Sequence, residues 1–188
     1  MQDRFIMLDL ETLGNRIDPV IAQISAVEFD ISTGLSKSEF NVHIEHRDYN
    51  QYGLTVDQST IAWWAQQSQA AKDAVFGSEI TYDLRYALEL FTEYVQKVRR
   101  DCRGKVFLWG NGIRCDNVWL LSAYKACGLD DPIKYNEDMD YRTLQYIAKH
   151  KTGHDFRDEI FQGIRHNAID DCKYQIKCAS AAWNSLIN

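Results

Sequence analysis

No stretch of the sequence is apolar for long enough to span a membrane, and no basic-then-apolar leader opens it, so the expected location is the cytoplasm. A disulfide frame is missing too. The five cysteines (Cys102, Cys115, Cys127, Cys172 and Cys178) are odd in number and form no C-x-x-C pair, which also argues against a zinc site and points to reduced thiols. There is no basic excess. A net charge of −6 argues against the broad cationic face that grips long nucleic acid, although it leaves open a protein that holds only a short end. Internal repeats, low-complexity tracts and linkers are also absent, so the 188 residues are expected to form a single domain, 1–188. With 45% hydrophobic and 12% aromatic residues, the chain is not a disordered one.

What is present is organised around Phe5-Ile6-Met7-Leu8-Asp9-Leu10-Glu11-Thr12-Leu13-Gly14. An unbroken apolar run of this kind predicts a strand buried on both faces, the centre of a mixed sheet. Pro19 to Phe29 reads as a second strand. After the turn Ser32-Thr33-Gly34, the alternation in Glu39 to Ile44 reads as a third, giving a three-stranded antiparallel meander. Ser59 is a plausible N-cap for a helix carrying Trp63 and Trp64. Leu84, Ala87, Leu88, Phe91, Val95 and Val98 keep the period of a longer helix, and Lys97, Arg99 and Arg100 in its last turn suit the negative end of the helix dipole. Lys105 to Trp109 is a short buried strand, Asp116 to Cys127 a helix ending at Gly128, and Ile133 to Tyr135 a candidate fifth strand. Tyr141 to His150 is helical, residues 152–165 are an aperiodic loop, and a final helix carries the stripe Ile169, Cys172, Ile176, Ala179, Trp183 and Leu186. One α/β domain accounts for this order.

Asp9 and Glu11 lie two residues apart on a strand, so they point to the same face. Either they simply end the strand, one capping a turn, or their repulsion is relieved by a divalent ion such as Mg²⁺, which takes oxygen ligands. Asp116 follows the strand that ends in Trp109-Gly110-Asn111-Gly112. It is an ordinary helix N-cap or a group at the carboxyl end of a sheet, where α/β sites form. On the last helix Asp170 shares a face with Lys173 and Lys177 and reads as a surface charge. Asp171 falls on the flank with Ala168, Gln175, Cys178 and Ala182, beside the buried stripe, and is the better ligand candidate. His166 precedes that helix. Four carboxylates and a histidine match two-metal phosphodiester hydrolysis, with the histidine as general base.

Asp9-Leu10-Glu11, then Asp116, then His166 with Asp171 five residues on, resembles the three exonuclease motifs of the DEDDh 3′–5′ exonucleases. Trp109 to Gly112 with Asp116-Asn117, Ser59 to Trp64, and Asp140-Tyr141-Arg142-Thr143 are similar to a branch of that family with small bacterial exoribonucleases and phage exodeoxyribonucleases. Cys115 departs from it, since relatives tend to carry phenylalanine there. The resemblance implies a ribonuclease-H-like α/β fold, a mixed sheet in which the meander is joined by parallel strands and flanked by helices. It implies that Asp9 bridges two Mg²⁺ ions, with Mn²⁺ able to substitute. Glu11 and Asp171 complete the water-activating site, Asp116 helps at the second, and His166 is the base. Thr12 and Leu13 would contact the terminal nucleotide. The expected reaction releases nucleoside 5′-monophosphates from single-stranded 3′ ends of RNA or DNA, with a homodimer allowed and no membrane partner.

Other readings are weaker. Gly110-Asn111-Gly112 begins like a dinucleotide-binding turn, but Cys115 stands where the third glycine should be. A haloacid-dehalogenase-like phosphatase would need Asp at position 11. His150 and His154 have metal-ligand spacing, but Gly153 interrupts them and they read as surface. Trp63 and Trp64 point about 100° apart on a helix, so at most one is expected to face the site. The rival outside catalysis is an end-binding or polymerase-associated module with little activity of its own.

Overall fold

The computed structural model describes residues 3–47 and 49–187. Among them five strands, β1 (Arg4–Thr12), β2 (Ile21–Phe29), β3 (Ser36–His43), β4 (Val106–Gly110) and β5 (Asp138–Asp140), form one sheet in the order β3-β2-β1-β4-β5. The meander β1-β2-β3 is antiparallel, and β4 and β5 extend it in parallel on the other side of β1. Six helices flank the sheet: α1 (Gln58–Ala65), α2 (Gln69–Phe76), α3 (Leu84–Arg100), α4 (Asp116–Ala126), α5 (Tyr141–Thr152) and α6 (Ala168–Ile187). This is the mixed α/β sheet of a ribonuclease-H-like fold. No helix among the described residues is long and apolar enough to cross a membrane.

The alternation of β1 divides the interior into two layers. Ile6, Leu8 and Leu10 pack with Leu88, Phe91 and Val95 of α3 and Leu120 and Tyr124 of α4. Met7 faces the other way, among Leu144 of α5 and Cys172, Ile176 and Ala179 of α6. Covered on both sides, β2 is buried along its whole length, which is why it lacks the polar alternation of a surface strand. All six apolar residues that set the period of α3 are buried, and full burial of a side chain such as Leu88 or Phe91 contributes roughly 1.5–3 kcal/mol.

Two local expectations are corrected, and one helix is added. The fifth strand is Asp138–Asp140, not Ile133 to Tyr135. Ile133 turns into the core while Tyr135 is 94% exposed. The strand starts where it does because Arg99 grips Glu137 with two bonds of 2.9 and 2.8 Å, and the Glu137 carbonyl accepts from Leu108 N at 2.9 Å. The N-cap of α1 is Asp57, whose carboxylate accepts from Ser59 N and Oγ, so Ser59 is its partner. Finally, a separate helix, α2, stands between α1 and α3. It has only Ala71 and Val75 buried and is capped by Ser68, so it leaves too little periodicity to be read. The aperiodic segment after α5 is pinned down in places: a 3₁₀ turn at Phe156–Asp158 has its Arg157 carbonyl bonded by the Tyr174 hydroxyl, and Asp155 pairs with Lys149 and Arg157.

Candidate active site

Asp9 and Glu11 continue the face of β1 that carries Met7, so both are aimed toward α6. There Gln175 Nε2 donates to Asp9 Oδ1 at 2.8 Å. Immediately after Glu11 the pairing with β2 slips: Glu11 opposes Gln23 but Thr12 opposes Ile21, a bulge that ends the regular ladder beside the acids. Asp116 reaches the same place from α4. That helix comes close because position 110 is glycine, where a Cβ would lie 2.0 Å from Asn117 Oδ1. Asn117 in turn anchors the helix by donating to Leu108 O and Asp138 Oδ1. Asp116 does not cap its own helix. Its Oδ1 accepts from Leu10 N at 3.3 Å and its Oδ2 from Asn111 N at 3.1 Å, which ties β1 to the loop after β4.

The third contribution comes from the entry to α6. His166 has a backbone φ of 63°, rare for a residue with a side chain, and in this conformation its N–H donates to Asp171 Oδ2 at 2.8 Å. Asp170 is not the solvated partner of Lys173 and Lys177. Those lysines pair with Glu39 and Glu159, and Asp170 Oδ2 instead accepts from Ile164 N at 2.9 Å. Gly163 permits this closure, with φ at 111° and no room for a Cβ beside the Asp170 carboxylate.

The five predicted catalytic residues, Asp9, Glu11, Asp116, His166 and Asp171, thus line one cleft of about 460 Å³. Within it, donor atoms of Glu11, His166 and Asp171 lie within 4.8 Å of one another, close enough to hold one cation. Thr12 and Leu13 do not line the cleft. Both are buried, Thr12 O accepts from Trp64 Nε1, and the backbone of Leu13 bonds to Val20 and Asp57. The two tryptophans divide as their spacing requires. Trp64 is buried, while Trp63 is 41% exposed, lines the cleft and meets the His166 ring edge-on at 4.8 Å.

The electrostatics are those of buried carboxylates crowded together. Burial, then Asp171 and Asp116, pushes Glu11 up to about 8. Asp9 is held well above the carboxylate range by burial and by Asp116, Glu11 and Asp171, with the Gln175 hydrogen bond opposing. Burial raises Asp116 to about 6 against the pull of its backbone N–H donors, and Asp171 to about 6 against the His166 N–H and Arg165. Burial first, then Arg165, holds His166 below its ordinary value, so its imidazole is neutral near pH 7. Among the described residues no lysine, arginine or histidine forms an ion pair with any of the four acids. Hard, anionic oxygen donors of this kind fit a hard divalent ion such as Mg²⁺ or Mn²⁺.

Sequence reasoning gave no role to Gln175, Arg142 or Trp119, which also line the cleft. Gln175 carried a usable signal, since it lies one helical turn after Asp171 on the same flank. Arg142 is brought in by the cap of α5: Asp140 accepts from Thr143 N at one oxygen and from Ile113 N at the other, which joins that helix to the loop after β4.

The family profile described as "3'-5' exoribonuclease Rv2179c-like domain" matches residues 4–183. Comparison with curated protein sequences gives no significant match. Among solved structures, cell-death related nuclease 4 (CRN-4) superposes with a TM-score of 0.72 at 13% identity, covering 97% of this chain and 64% of that one. The nuclease domain of 3'hExo, described as a DEDDh family member bound to rAMP, gives 0.65 at 15% identity, covering 97% and 92%. E. coli exonuclease I in complex with a dA16 oligonucleotide gives 0.64 at 15% identity, covering 93% of this chain and 39% of that one. The chain therefore spans under two thirds of two of these proteins, and at these identities the likeness is one of fold.

Proposed function

Because the chain belongs to the 3′–5′ exoribonuclease Rv2179c-like domain family, we propose that it is a divalent-metal-dependent 3′–5′ exonuclease, releasing nucleoside 5′-monophosphates from single-stranded 3′ ends. The observation that carries this reading is the convergence of Asp9, Glu11, Asp116, Asp171 and His166 on one cleft from three separate parts of the chain. The family's description favours RNA as the polymer. Buried thiols at Cys127, Cys172 and Cys178 suit a reducing, cytoplasmic setting.

Asp9, Glu11, Asp116 and Asp171 would hold two Mg²⁺ ions, or Mn²⁺ in their place. Bound there, the ions supply Lewis acidity at the phosphoryl group and make water a better nucleophile. His166, neutral near pH 7, takes the proton of the attacking water as general base. Gln175 fixes the Asp9 carboxylate through one of its oxygens. Arg142, the cationic side chain of the cleft lining, meets the non-bridging oxygens of the scissile phosphate. Trp63, 41% exposed in the cleft lining, stacks on a base. Thr12 and Leu13, buried behind the acids and outside the cleft lining, support the terminal nucleotide's site indirectly, by fixing the end of β1 through Trp64, Val20 and Asp57.

The decisive experiment is a time course on 5′-labelled and 3′-labelled single strands, RNA and DNA in parallel, with Mg²⁺, Mn²⁺ or chelator. Stepwise shortening from the 3′ end, lost in chelator and in Asp9→Ala, is the expected result, with RNA the faster substrate. Internal cuts would replace this reading with an endonuclease. Binding without any cleavage would replace it with an end-binding module.

A further inference from the structure

Beside the acidic cleft lies a smaller groove of opposite character, about 260 Å³, lined by Asn15, Arg16, Ile17, Arg114 and Val118. Arg114 and Val118 directly precede Cys115 and Trp119, which line the acidic cleft, so the start of α4 is a wall common to both. The opposite wall, Asn15 to Ile17, follows the turn by which the chain leaves β1. Arg16 and Arg114 are exposed, and among the described residues neither forms an ion pair or donates a hydrogen bond. Arg16 feels Asp57, but that carboxylate is occupied by Ser59. Ile17, in the same lining, is 69% exposed. In a chain of net charge −6, two uncommitted guanidinium groups around an apolar side chain form a local exception.

We propose that this groove holds the backbone of the single strand upstream of the scissile bond, Arg16 and Arg114 each contacting a phosphate and Ile17 lying against a sugar or base. The proposal rests on the exonuclease reading of the adjoining cleft. Four carboxylates repel an approaching polyanion, and guanidinium forks next to them match phosphate geometry and offset that repulsion outside the reaction centre. Phosphate contacts carry no base information, so the groove serves long substrates as a class and treats RNA and DNA alike.

The test compares the wild type with the double variant Arg16→Gln/Arg114→Gln. A charge-matched control, Arg100→Gln/Arg103→Gln, changes two arginines near the start of β4, at the far end of that strand. One substrate is a dinucleotide. The other is a single strand of about a dozen nucleotides, within the usual footprint of single-strand sites. In the groove variant KM for the longer strand should rise about tenfold, the sum of two exposed charge contacts, while its kcat and dinucleotide hydrolysis stay unchanged. Anisotropy of the labelled strand in chelator gives a readout independent of turnover. There the slope of log affinity against log salt should become shallower by about 1.4, at about 0.7 for each lost contact. An unchanged KM and slope, or equal effects in the control, would overturn the groove. If the wild type cleaves neither substrate the exonuclease reading fails by itself, and the anisotropy slopes still decide the groove.

Discussion

The backbone N–H of His166 donates to Oδ2 of Asp171 across 2.8 Å, so the proposed base is fixed to a proposed ligand through its main chain. The ring takes no part in that bond. It leans instead against Trp63 at 4.8 Å, and the left-handed backbone at φ 63° is what allows both contacts at once. Such a conformation costs of order 1 kcal/mol or more for most residues, and less for asparagine.

His166→Asn and His166→Ala are therefore expected to separate chemistry from backbone strain. Both should lower kcat by about 10²–10⁴, the usual worth of a general base. Only the asparagine variant should gain stability, by up to about 1 kcal/mol, because histidine and alanine both bear the cost of the left-handed backbone and asparagine bears less of it. Parallel kinetics and thermal unfolding check this, and a histidine variant with wild-type kcat near neutral pH would remove His166 from the mechanism.

The crowded acids make a prediction about pH. Glu11 at about 8, and Asp116 and Asp171 at about 6, all lie above the ordinary carboxylate range near 4. The folded state therefore binds more protons than the unfolded state across that window, and stability in chelator must fall as pH rises through it. The loss should be on the order of a few kcal/mol. Mg²⁺ should restore it, increasingly so at higher pH, because the ligands bind metal only when deprotonated. Melting curves in chelator and in Mg²⁺ test both arms. A chelator profile that rises with pH would contradict the proposed clustering.

Gln175 touches the proposed metal site through Asp9 alone among the acids, since its Nε2 donates to Asp9 Oδ1. Gln175→Leu removes that donor while keeping the side chain's bulk. The metal concentration for half-maximal activity should rise roughly tenfold or more, as when other residues that orient metal ligands are replaced, with kcat at saturating metal largely kept. A titration of rate against Mg²⁺ separates the two, and an unshifted midpoint would show that Asp9 needs no such support.

Adjacent tryptophans should behave oppositely. Trp64, buried and donating to Thr12 O, should cost about 3–5 kcal/mol of stability when replaced by alanine. Trp63→Ala should leave the melting temperature nearly unchanged and weaken the longer substrate by about 1–3 kcal/mol, with Trp63→Phe recovering most of it. A Trp63→Ala variant that unfolds as readily as Trp64→Ala would place both in the core.

Much of this was legible in the chain because it depends on local pattern. The apolar run before Asp9 gave the central strand, and the 3.6-residue period gave α3 and α6. The flank shared by Asp171 with Ala168, Gln175, Cys178 and Ala182 marked it as the inward-facing acid of its pair, and those four neighbours are buried. What escaped depends on partners far apart in sequence. Asp170 looked like a surface charge because its capping of Ile164 needs the chain to fold back, and because its neighbouring lysines are claimed by Glu39 and Glu159. β5 looked like Ile133 to Tyr135 because apolar residues suggest strands. Its actual position is set by Arg99 holding Glu137. Arg142 stands in the run Asp140-Tyr141-Arg142-Thr143 that the resemblance singles out, but its place in the cleft depends on the Asp140 bond to Ile113, which no local pattern shows.

The bulge after Glu11 also divides β1 into regions of unequal tolerance to insertion and deletion. Upstream of it, one residue added or removed would turn Asp9 and Glu11 from the α6 layer to the α3 and α4 layer, because facing reverses with every step along a strand. Downstream, the ladder has already slipped by one residue, and a further change in length would be taken up in the turn toward β2. Length variation among chains of this fold should therefore collect between Gly14 and Pro19 and stay out of Phe5 to Glu11.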